Sequence, residues 1–109
     1  MINASLIFPL TDERVCLGYK KTGFGAGKYN GAGGKCETGE APEAAAVREL
    51  KEEFCITAEL CDVMAHGELT FVFPENPNNN FHVHLFSLWK WVGQPCETEE
   101  MSPKWFVRS

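Results

Sequence analysis

Six glutamates fall between Glu37 and Glu53, and the stretch closes on Arg48-Glu49-Leu50-Lys51-Glu52-Glu53. On a helix, which turns about 100° per residue, Glu49, Glu52 and Glu53 fit within an arc of roughly 100°. Like charges four residues apart, here Glu49 and Glu53, destabilise an isolated helix. A chain that keeps this pattern needs something to offset the repulsion. A hard divalent cation with oxygen ligands does so directly.

The remaining bulk properties narrow the setting. With 109 residues, the chain suffices for one domain with one core, residues 1–109. A hydrophobic fraction of 44% and a charged fraction of 23% are ordinary for a globular protein. A net charge of -5 and a pI near 5.1 argue against a broad surface for nucleic-acid polymers or anionic membranes. An anionic ligand would therefore have to be held through metal ions. Cys16, Cys36, Cys55, Cys61 and Cys96 form no CxxC pair and no zinc spacing. Leu6-Ile7-Phe8 is too short for a signal-peptide core, and no run reaches transmembrane length. The expectation is a soluble, cytoplasmic protein with reduced thiols.

Periodicity orders the elements. Residues 4–9 and 15–19 read as strands around the turn Thr11-Asp12-Glu13-Arg14. Residues 20–34 form a glycine-rich loop. Pro42 suits the first turn of a helix running to about Phe54, with Val47, Leu50 and Phe54 as its core face and the glutamate arc pointing elsewhere. Residues 57–64 and 68–73 read as strands, Pro74 to Asn80 as a polar turn, and 81–91 as a long strand. Gly93 to Pro103 reads as an acidic loop, and Lys104 to Val107 as a final strand. One helix against several strands gives an α+β or mixed α/β domain.

The glycine-rich loop fails two phosphate-binding fingerprints. Gly34-Lys35 is followed by Cys36 instead of Ser or Thr, and Tyr29 stands where a Walker loop begins with glycine. Asn30 and Cys36 interrupt the two candidate Gly-x-Gly-x-x-Gly runs. What remains is bare backbone able to approach a ligand or metal, leading straight into the carboxylate helix.

From Gly34 onward the chain reads Gly-x5-Glu40-x7-Arg48-Glu49-Leu50-x-Glu52-Glu53-x-Cys55-Ile56. This resembles the Nudix box, with Cys55 where that family usually has glycine. Lys20 to Lys35, and Glu99-Glu100-Met101-Ser102-Pro103-Lys104-Trp105-Phe106, are similar to the MutT-homologue 8-oxo-dGTP diphosphatase subgroup. The resemblance covers about Ser5 to Phe106. It implies a Nudix fold, a mixed β-sheet with the box helix packed on it. It also implies a hydrolase that cleaves an oxidised purine nucleoside triphosphate to the monophosphate and pyrophosphate.

Residue by residue, the resemblance implies that Glu49, Glu52 and Glu53 bind magnesium, with manganese as a substitute. The Gly33 carbonyl and Glu100 would assist. Arg48 would orient a glutamate, and Glu40 would brace the junction of loop and helix. Asn30 would read the purine edge, Lys20 would lie near phosphates or base, and Phe24 and Phe71 would wall the base. Glu53 and Glu100 are the candidates for accepting a proton from the attacking water. The subgroup also continues beyond the position of Ser109 with a second helix, a tryptophan and an aspartate pair. The expectation is a sheet face left open and apolar, covered by a homodimer.

Other residues read more plainly. His82 and His84 alternate on one strand and share a face, but two ligands without a cysteine pair do not make a zinc site. Trp89, Trp91 and Trp105 read as core or strand packing. Two rival functions stay open: a Nudix hydrolase acting on ordinary dNTPs or other nucleoside diphosphate derivatives, and a catalytically weak nucleotide-binding module.

Overall fold

The computed structural model of the chain describes residues 1–23 and 25–108. Helix α1 runs from Pro42 to Phe54, as the sequence frames it. Pro42 occupies the first turn, where a missing N–H leaves no intrahelical bond unmade. Cys55 ends the helix in the left-handed conformation, φ 66°, and its N–H reaches Lys51 O at 3.2 Å. A non-glycine residue there costs about 1 kcal/mol. Two links hold it in place: the Cys96 N–H donates to Phe54 O at 3.1 Å, and Cys55 is disulfide-bonded to Cys96. The expectation of wholly reduced thiols is corrected by that bond. The two cysteines lie 41 residues apart, so no local spacing announces the pair. Cys16, Cys36 and Cys61 are free.

Seven strands surround the helix among the described residues: β1 Ile2–Pro9, β2 Arg14–Lys20, β3 Tyr29–Asn30, β4 Ala32–Lys35, β5 Val63–Phe71, β6 Phe81–Leu88 and β7 Met101–Val107. They form a mixed sheet in the order β4-β1-β6-β5 and an antiparallel sheet in the order β3-β2-β7. In the first, β1 and β6 run parallel, with Leu6 opposite Leu85, and the outer pairs are antiparallel.

Strand boundaries differ from the sequence reading at four places, three of them for a local reason. Residues 57–64 hold a bridge at Thr57 and a 3-10 turn at Leu60–Asp62, with Leu60 turned to solvent. Strand β5 starts at Val63 because a bulge between Ala65 and Gly67 lets pairing with β6 continue through the glycine, whose φ is 140°. Strand β7 starts at Met101 and includes Pro103, which lacks an N–H and is tolerated because β7 is an edge strand. The 81–91 strand stops at Leu88.

The core sits between α1 and the two sheets. Leu50, Phe54, Ile7, Phe86, Leu88, Ile56 and Met101 form its centre. Trp91 and Trp105 stack at its edge, 5.9 Å apart. The helix core face carries Ala46, Leu50 and Phe54, with Val47 only partly buried. Two glycines permit this packing. A Cβ at Gly18 would stand 2.6 Å from the Phe54 ring. A Cβ at Gly33 would fall onto the Ser5 carbonyl oxygen of the adjacent strand. Ser5 itself is buried and donates to Pro42 O at 2.6 Å, which ties β1 to the start of α1.

Because the obstacle at Gly33 is backbone, it cannot swing aside. Gly33→Ala should lower stability by roughly 1–3 kcal/mol, as overpacking does. Urea denaturation checks this; an unchanged midpoint would show that β1 and β4 can part without cost.

Candidate active site

The acidic helix face is only partly a solvent face. Residues 46, 50 and 53 follow one another at spacings of four and three, so Glu53 continues the buried stripe of Ala46 and Leu50. Glu53 is 2% exposed, which corrects the expectation that the glutamate arc points away from the core. Its carboxylate accepts the Gly33 N–H at 2.8 Å. Burial pushes its carboxyl up to about 7, and the negative charges of Glu49 and Glu100 add to the rise; the Gly33 N–H and Lys20 act against it. Glu49 is raised as well, chiefly by burial, with Arg48 opposing.

Arg48 organises the neighbouring carboxylates. Its Nε and Nη2 each donate to Glu40 at 2.9 Å, a bidentate pair. Nη1 donates to Glu49 at 2.9 Å and to Glu52 at 3.5 Å, and Nη2 also reaches Lys35 O at 3.3 Å. Hydrogen bonds from Arg48 and from the Glu37 N–H hold the Glu40 carboxyl down at about 2. One guanidinium thus connects the loop before α1, the β4 backbone and two of the three helix carboxylates.

Glu100 reaches this cluster through the loop before β7. The Thr98 hydroxyl donates to Glu53 O at 3.1 Å, and the Lys21 N–H donates to Glu100 O at 2.9 Å. The Cys55–Cys96 bond lies beside these links. The loop is thereby fixed to the helix end, and Glu100 comes near enough to act on both Glu49 and Glu53.

A cavity of about 320 Å³ lies next to the carboxylates, within the size range of small-ligand sites. Lys20, Asn30, Gly33 and Phe71 all line it. The Asn30 side-chain oxygen accepts the Gly31 N–H at 2.8 Å, a bond that does not use its NH2 group. Strand β4 is the partition: Gly33 and Gly34 line the cavity while Glu53 bonds to one and Glu49 crowds the other, with only 2.9 Å between a Gly34 Cβ and Glu49 Oε1. Phe24, also expected in this wall, lies outside the described residues. Sequence reasoning missed Phe73, Phe81, Val83 and Met101 in the lining. The signal was available in part, since Phe81 and Val83 alternate, and Phe81 pairs with Phe71.

The donor set fits a hard divalent cation on the structure's own terms. Glu49 and Glu53 are largely withdrawn from water and carry raised carboxyls; the charges of Glu52 and Glu100 act on Glu49, and those of Glu49 and Glu100 on Glu53. All the offered atoms are oxygens, which suits magnesium.

These features define the class. The chain belongs to the NUDIX domain family, which its residues 2–107 match. Two relatives described as oxidized purine nucleoside triphosphate hydrolase, from Danio rerio and Mus musculus, are 41% and 43% identical to it over 102 residues, 94% of this chain. The chain spans 64% of the length of each of them. Among solved structures, a MutT NUDIX hydrolase from Burkholderia pseudomallei superposes with a TM-score of 0.86 at 22% identity, over 97% of this chain and 82% of that one, which shows the shared fold.

The raised Glu53 carboxyl has a stability consequence in metal-free protein. The folded state holds a proton that the unfolded chain releases near 4.5, so stability should decline as pH rises from about 4.5 through about 7. Glu53→Gln should reduce that decline and raise metal-free stability at pH 8 by roughly 1–3 kcal/mol. Urea unfolding in chelator at pH 5 and pH 8 measures both; parallel pH profiles for the two proteins would refute the assignment.

Proposed function

We propose that the chain is a magnesium-dependent nucleoside triphosphate pyrophosphohydrolase acting on an oxidised purine dNTP such as 8-oxo-dGTP. The products would be the nucleoside monophosphate and pyrophosphate, and the role would be cleansing of the nucleotide pool in the cytoplasm. The observation that carries this reading is the shared partition. A cavity with an amide donor and an aromatic wall is separated from the carboxylate cluster by two glycines of one strand. A base held on one side places its polyphosphate toward the other. The names of the two animal relatives support the substrate class.

In this reading Asn30 donates through its NH2 group to a purine oxygen, and Phe71 supplies an apolar wall to the base. Lys20, which lines the cavity and also acts on Glu53, faces the phosphates. Glu49, Glu52, Glu53, Glu100 and the Gly33 carbonyl would hold magnesium, which when bound neutralises phosphate charge and lowers the pKa of water. Arg48 keeps Glu49 and Glu52 in place through its hydrogen bonds. Glu53 or Glu100 accepts the proton of the water that attacks phosphorus, a contribution typically of 10²–10⁴ in rate. The anhydride P–O bond breaks, and pyrophosphate leaves.

Pyrophosphate release with magnesium, comparing 8-oxo-dGTP, dGTP and dATP, tests the reading. Selective cleavage of the oxidised nucleotide is expected. Equal rates would replace it with a broader Nudix hydrolase, and binding without turnover with a nucleotide-binding module. Glu53→Gln should lower kcat at least about tenfold with the circular dichroism spectrum unchanged; an unaltered rate would remove Glu53 from the chemistry.

A further inference from the structure

The two strands that carry the cavity wall have a second decorated face. On β5 and β6, Phe71 pairs with Phe81 and Leu69 with Val83; Phe71, Phe81 and Val83 line the cavity. The alternate residues point to the other side. There Glu68 lies opposite His84, and Thr70 lies opposite His82. Ser5, the β1 partner of His84, bonds to Pro42 O, so this is the face on which α1 packs.

The side chains on that face converge. Glu68 Oε1 contacts His82 Nε2 directly and lies 3.5 Å from His84 Nδ1. The two imidazole rings are 4.8 Å apart between centroids. One donor atom from each of Glu68, His82 and His84 lies within 4.8 Å of the others. Tetrahedral zinc with bonds of 2.0–2.1 Å needs ligand atoms about 3.3 Å apart, so rotation of partly exposed side chains closes the remaining gap. A further detail orients one ligand. Without an ion His82 Nε2 donates to Glu68; Thr70 Oγ1, 3.4 Å from His82 Nδ1, can accept an Nδ1–H once an ion takes the place of the Nε2 proton.

We propose that Glu68, His82 and His84 form a site for a borderline transition-metal ion, zinc or a neighbour of it, distinct from the carboxylate cluster. The chemistry separates the two sites. Imidazole nitrogens favour zinc, nickel or copper over magnesium, whereas the carboxylates around Glu53 offer oxygen alone. Two nitrogens and one carboxylate oxygen leave a fourth position for water. The sequence reading stopped at two histidines because the third ligand comes from another strand, fourteen residues before His82. A bound ion would clamp β5, an edge strand, to β6 behind the cavity wall.

The test uses the full chain, stripped with chelator and then titrated with zinc alone in excess magnesium, which keeps the oxygen cluster occupied. One zinc per chain at micromolar or tighter affinity is expected. Glu68→Gln and His84→Gln should each weaken it at least tenfold, and Glu52→Gln should leave it unchanged. X-ray absorption should show nitrogen and oxygen neighbours without sulfur, and zinc should raise the Tm of the parent protein but not of His84→Gln. No uptake in excess magnesium would overturn the proposal. So would zinc binding that survives both substitutions, binding lost in Glu52→Gln, or sulfur in the coordination shell.

Discussion

The Gly33 N–H to Glu53 hydrogen bond is the contact on which the site depends. It draws a carboxylate into a nearly dry position, at a cost visible in the elevated carboxyl of Glu53. It also brings the helix flush against β4, which only a strand of small residues allows. Gly33 sits against the Ser5 backbone and Gly34 against Glu49, so a side chain at the first would force β4 from β1 and one at the second would force β4 from the helix. The glycines often read as flexibility are here a matter of thickness: they keep the wall between cavity and carboxylates one backbone thick.

Charge is distributed around that contact in a graded way. Glu40 is fully satisfied by Arg48 and stays ionised to low pH, which makes it a structural anchor. Glu49 shares the same guanidinium but pays for burial. Glu53 has no arginine, and a single N–H and a more distant lysine face it. The demand for additional positive charge therefore rises along the helix toward its C-terminal end, where the acidic loop adds Glu100. Under the proposed function, a polyphosphate accompanied by cations would meet that demand.

Much of this was legible in the sequence, and what was not has physical reasons. The ends of α1 were readable because Pro42 and the break after Phe54 are local signals. Arg48, Glu49, Glu52 and Glu53 were readable as one group because helical winding fixes their spacing. The depth of Glu53 was not, since periodicity counts a charged residue as solvent-facing unless its partner is known, and Gly33 lies twenty residues away. Strand β5 was misplaced because a bulge hides the alternation that marks a strand. The Cys55–Cys96 pair and the attachment of Glu100 depend on chain segments that meet only in three dimensions.

The Thr98 to Glu53 hydrogen bond joins positions 45 residues apart, and Ser5 to Pro42 joins positions 37 apart. Closing contacts this distant in sequence costs loop entropy that the contacts themselves have to offset. Until they close, the acidic helix carries its repulsion without the Gly33 amide and Lys20 that temper it. Formation of the carboxylate cluster is thus tied to completion of the fold around it.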